Sequence, residues 1–157
     1  MSERLYKVLG LTGEAIYGGT GVWHLPSGKR PGKWMPKIDT VVACRSGYHV
    51  VRLDQLPAWL GPTIWEVEVR GTQVAGGDKV VVEQARLIRR TGWDERTARL
   101  FAADCAERVL PIFEVERPDD GRPRAAIEAA RLFAHGEITD AARAAAWAAA
   151  GAAAGAA

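Results

Sequence analysis

Thr63-Ile-Trp-Glu-Val-Glu-Val-Arg70, then, beyond a Gly76-Gly77 turn, Lys79-Val-Val-Val-Glu-Gln-Ala-Arg-Leu-Ile-Arg89, is the stretch on which the fold turns. In the first run Ile64, Glu66, Glu68 and Arg70 fall on one side and Trp65, Val67 and Val69 on the other. A period of two is the spacing of a strand, and an apolar side opposite a charged one predicts a sheet with one buried face. The second run opens on three valines, and two such runs joined through glycines predict an antiparallel pair.

Toward the N-terminus, Arg4–Leu9 alternates and predicts a first strand. Residues 10–39 hold a dense set of glycines and prolines and predict a long irregular loop. Trp23, His24, Trp34 and Met35 are too apolar for a free linker, so the two tryptophans are expected to pin the loop to the body of the domain. Thr40–Cys44 predicts a strand, Ser46-Gly47 a turn, and Tyr48–Arg52 a further strand. Asp54 is placed to cap a short helix through Trp59-Leu60, ended by Gly61-Pro62.

The character changes at Thr91. Asp94 is placed to cap a helix to about Phe113, with Leu100, Phe101, Cys105 and Val109 on a shared buried face and Pro111 kinking or ending it. Pro123 suits the first turn of a second helix reaching Ala134 and closed by Gly136; Thr139 caps a third to about Ala150. Strands first and helices last predict an α+β protein. The expected arrangement is a small, mostly antiparallel sheet with a short helix over 1–92, a module of two to three helices over 93–150, and a frayed Ala/Gly tail over 151–157.

The composition, with 48% hydrophobic and 25% charged residues, is that of a globular chain and excludes disorder. A net charge of +2 excludes a polycation. Residues 1–52 carry 8 Lys and Arg against 3 Asp and Glu, which gives the front half a lean toward anionic partners. Two cysteines, Cys44 and Cys105, are no disulfide framework and suit a reducing cytoplasm. No signal peptide or transmembrane span is read, and no membrane partner is expected.

Three sets of residues carry candidate chemistry. His49, with Cys44 across a turn, and the strand-face pair Glu66 and Glu68 are the catalytic candidates. Paired carboxylates serve acid–base work when their environments differ, and a Glu-x-Glu element resembles that of ADP-ribosyltransferases. The plainer reading is a packed thiol and a solvated sheet face. Lys29, Arg30, Lys33, Trp34 and Lys37 place four cations around an aromatic ring, a pattern that can follow a phosphate backbone while the ring stacks on a base. Arg122, Arg124 and Phe133 are candidates for contact with a protein partner. No metal site or cofactor motif is read: Cys44 and His49 lack further ligands at metal-binding spacing, and there is no phosphate loop or dinucleotide fingerprint.

Two stretches resemble known families. Phe101-Ala-Ala-Asp-Cys-Ala-Glu-Arg-Val-Leu-Pro-Ile-Phe-Glu114, with Asp119-Asp-Gly-Arg-Pro-Arg124 and Ala126-Ile-Glu128, resembles the helical module of the putative immunity proteins of bacteria and phages, over roughly residues 95–150. Gly32-Lys-Trp-Met-Pro36 and Cys44-Arg-Ser-Gly-Tyr-His49 resemble phage-associated domains with a Cys-…-Gly-Phe/Tyr-His element. Together they imply a bacterial or phage accessory protein of the host cytoplasm, binding a protein partner or its own copy. Nucleic-acid binding through 29–37 and an ADP-ribosyltransferase-like activity are the alternatives.

Overall fold

A computed structural model describes residues 3–155, which fall into two units, Met1–Trp93 and Asp94–Ala157. The first is a four-stranded antiparallel sheet made of β1 (Leu5–Leu9), β2 (Tyr48–Val50), β3 (Thr63–Ala75) and β4 (Val80–Arg90), in the order β1-β3-β4-β2. The second is three helices, α1 (Glu95–Glu116), α2 (Arg122–His135) and α3 (Asp140–Gly155). The protein is α+β, as the order of strands and helices implies.

β3 and β4 pair from Trp65↔Arg90 to Ala75↔Val80, so the hairpin outruns its sequence pattern by several residues. Gly71 lies inside β3 rather than ending it. Its φ of +78° belongs to the left-handed region that L side chains avoid, and the register shifts there between Arg70 and Gln73. Glu83 of β4 closes the bulge by accepting from the Thr72 N–H at 2.8 Å. The sheet then curls until its outer strands meet. Tyr6 of β1 and Val51 exchange backbone hydrogen bonds of 2.8 and 2.9 Å.

The curl encloses Leu9, Val82, Ala85 and Leu87, all fully buried, together with Trp23, Val50, Trp65 and Val67. Each such Leu contributes roughly 1.5–3 kcal/mol by leaving water. The opposite side of β3 is covered too: Ile64 packs with Val8, Val51 and Leu56. The single buried face read from 63–70 is therefore corrected to two, because the segment around Leu56 lies over the charged-looking side.

The loop 10–39 is a working part of the sheet. Gly32, Met35 and Ile38 donate backbone hydrogen bonds to Leu87, Ala85 and Glu83 at 2.8, 2.9 and 3.1 Å, covering the edge of β4 that the short β2 leaves open. Trp23 and Met35 enter the core. The strand read at 40–44 does not form. With β4's edge already taken, that stretch turns back on itself, Val42 pairing with Ser46 and Cys44 at φ 61°. The short helix also differs: it is a 3-10 helix, Leu53–Ala58, and Arg52 rather than Asp54 begins it. The buried Gln55 side chain returns to accept the Arg52 N–H at 2.9 Å.

In the helical unit Asp94 caps α1 by accepting from the Thr97 N–H at 2.7 Å, and Thr139 caps α3 through Ala142. α1 runs through Pro111 to Glu116; the ring removes one backbone donor without ending the helix. The side it buries is Ala103 and Leu110, one heptad apart, and not the stripe of Phe101, Cys105 and Val109. α3 continues to Gly155, past the expected fraying point, because alanine has the highest helix propensity and a single Gly151 costs only about 1 kcal/mol. Residues 156 and 157 lie outside the described residues.

Candidate functional site

Alternation along β1 sends Leu5, Lys7 and Leu9 to the enclosed side of the sheet, and two of these three are core leucines. The Lys7 ammonium therefore sits where an apolar group is expected. It donates to the His49 carbonyl at 2.9 Å and lies 5.3 Å from the centroid of the Trp23 ring. Among the described residues no carboxylate pairs with it. Burial alone pushes its pKa from 10.5 down to about 8.

Lys7 borders a cleft of about 290 Å³ beside the seam where β1 meets the chain beyond β2. His49, Lys79, Tyr17, Trp59 and Cys44 also line it. Lys79 reaches it from the β3–β4 turn, its ammonium 4.9 Å over the Trp59 ring and 3.2 Å from Asp78. Trp59 is fixed through its indole N–H to the Asp78 carbonyl at 2.8 Å. Tyr17 meets it edge to face at 5.1 Å and donates its hydroxyl to the Leu60 carbonyl. The His49 imidazole is held below its usual titration range, first by burial and then by Lys7 and Lys79, with Asp78 opposing. Its Nε2 is buried and has no hydrogen-bond partner among the described residues.

The sequence candidates divide between this cleft and other surfaces. His49 and Cys44 both line it, and no hydrogen bond joins them among the described residues. Glu66 and Glu68 do not line it: Glu66 pairs with Arg89 and, at 3.9 Å, with Arg4, and Glu68 with Arg86 at 2.6 Å. Trp34 lies outside the core with the guanidiniums of Arg70 and Arg86 at 4.1 and 4.7 Å from its ring centroid. Lys37 pairs with Glu83 at 3.3 Å, while Lys29, Arg30 and Lys33 are exposed. No group of three or more His, Cys, Asp or Glu converges on a metal-sized site among the described residues.

In the helical unit Arg122 grips Asp120 at 2.7 and 2.8 Å, and Arg124 grips Glu114 of α1. Phe133 is covered by Arg99 and Arg143 at 4.7 and 5.1 Å. Arg124 thus ties α2 to α1, and Phe133 meets side chains of both α1 and α3, while the Arg122 pair is local to the start of α2. Val109, Ile112 and Val115 of α1 face solvent, at 58, 70 and 84% exposure.

Residues 92–157 match the model of the Imm-5 like putative immunity protein family. The matched stretch takes in all three helices and less than half of the chain. It does not reach Gly32–Pro36 or Cys44–His49, so the phage-associated resemblance of the front gains no support from it. No curated protein and no solved structure matches the chain. No helix among the described residues is long and apolar enough to cross a membrane.

Sequence reasoning singled out His49 but passed over Lys7, Lys79, Tyr17 and Trp59. The signal for Lys7 was present, a cation flanked at two-residue spacing by Leu5 and Leu9. None existed for Lys79, whose approach depends on where the hairpin turn lands.

Proposed function

We propose that this chain is an accessory protein of immunity type that works in the bacterial cytoplasm by binding a protein partner through α1. The observation that carries this reading is the coincidence of the family match with a helix having two apolar sides. One, Ala103 and Leu110, is buried within the helical unit; the other, Val109, Ile112 and Val115, is in water. Branched aliphatic side chains grouped within two turns form the kind of face that an amphipathic helix offers to a groove.

The test is affinity capture from the native host with the full chain and with an Ile112→Asp/Val115→Asp variant. Burying two such side chains is worth roughly 1.5–3 kcal/mol each, so the variant should lose its specific partner at least about tenfold. Its circular dichroism and melting should be unchanged, since both residues face solvent. Equal capture by the two proteins overturns the proposal. So does a concentration-dependent dimer of the wild type that the variant lacks, because the face would then serve a second copy.

A further inference from the structure

We propose that the cleft beside β1 binds a mononucleotide, its phosphate between Lys7, Lys79 and His49 and its base along the Tyr17–Trp59 wall. Nothing in the family match bears on this site, which lies wholly in the first unit.

Each part of the cleft restricts the ligand. Two ammonium groups on the same cleft set a preference for anions, and for a dianion over a single carboxylate. Lys7 is the telling one, since a half-buried ammonium with no carboxylate partner among the described residues is stabilised when a ligand supplies the charge. Lys79 is already half satisfied by Asp78 at 3.2 Å, and that ion pair is 56% exposed on the aspartate side, so a phosphate can compete for it. The His49 Nε2 is closed to solvent and has no hydrogen-bond partner among the described residues, a need that a ligand meets once the ring turns into the cleft. A phosphate oxygen accepting from an Nε2–H meets that need.

The cleft also holds two aromatic rings. Tyr17 is 54% exposed, which leaves ring surface for a planar base, and Trp59, edge to face with it and under the Lys79 ammonium, is locked by its own hydrogen bond. A volume of about 290 Å³ holds one nucleotide and excludes a strand. That separates this site from the exposed cations at Lys29, Arg30 and Lys33.

The experiment is calorimetric titration of the full chain with AMP, GMP, CMP and UMP, with ribose 5-phosphate and adenosine as the phosphate-only and base-only arms. At least one nucleotide is expected to bind, with both fragments weaker. Lys7→Met and Lys79→Gln should each weaken the nucleotide about tenfold or more, as loss of a charge-assisted hydrogen bond implies. Lys29→Ala should leave it unchanged. Two variants are used because Lys7 lies on β1 and Lys79 in the β3–β4 turn, so a folding defect in one does not excuse the other. Absence of binding by all four nucleotides at millimolar concentration overturns the proposal. So does binding indifferent to both lysines, and so does ribose 5-phosphate binding as tightly as the best nucleotide, which removes the aromatic wall from recognition.

Discussion

Gly32→Ala is expected to destabilise the first unit by about 3 kcal/mol, among the larger effects that a single added methyl group produces. A Cβ at this position would stand 1.9 Å from the His24 carbonyl oxygen. No rotamer relieves that contact, because both partners are backbone. Either the loop at His24 retreats or residue 32 leaves β4. The second course breaks the hydrogen bond from Gly32 to Leu87, and either one drags on Trp23 and Met35, the two core side chains that flank the site on the chain. The effect should fall on the unit as a whole rather than on the loop alone, since Leu87 is fully buried in the centre of the core. Thermal unfolding followed by tryptophan fluorescence reads it: for a unit of this size the midpoint should fall by roughly 12–24 °C. A fall of a few degrees would mean that the loop yields locally and that its glycine is not a packing requirement.

The same region shows what the sequence made legible. Period-two alternation gave β3, where Trp65, Val67 and Val69 serve one enclosed side, and the three valines marked the start of β4. The content of the long loop also pointed the right way, and Trp23 does enter the core. What sequence could not give was competition for one edge. Thr40–Cys44 has the composition of a strand, yet the β4 edge is occupied by 32–38 and by Tyr48–Val50, and strand propensity without a partner edge forms nothing. α1 poses a similar choice. Its apolar residues form two stripes, and only the packing of α2 decides that Ala103 and Leu110 are covered while Val109 and Ile112 are not. The candidate cleft was half visible, through His49. Its lysines come from β1 and from a hairpin turn, more than seventy residues apart, and meet only after the sheet has curled.

Lys7→Met should raise the stability of the first unit at neutral pH while weakening the nucleotide affinity proposed for the cleft. Burial lowers the Lys7 pKa from 10.5 to about 8, which is roughly 3 kcal/mol of penalty on the charged form. Methionine keeps the length of the apolar stem but forfeits the hydrogen bond to the His49 carbonyl, worth about 1 kcal/mol, so a net gain of about 1–2 kcal/mol is expected. The pH dependence separates this cause from ordinary repacking. Below pH 8 lysine is protonated in both folded and unfolded chains, and the penalty is present in full. Between about 8 and 10.5 the folded protein sheds the proton while the unfolded chain keeps it, so wild-type stability rises with pH across that window. The variant has no such proton, and its advantage should shrink steadily over the same interval. Tyr48, whose hydroxyl burial makes harder to ionise, works in the opposite direction at higher pH, but it is common to both proteins and cancels in their difference. Urea denaturation of both chains at pH 7, 8, 9 and 10 supplies the comparison. A constant difference across that range would show that the ammonium is comfortable where it lies. The converging curves expected here would show a charge held at real cost, which is what a residue kept for binding rather than for folding looks like.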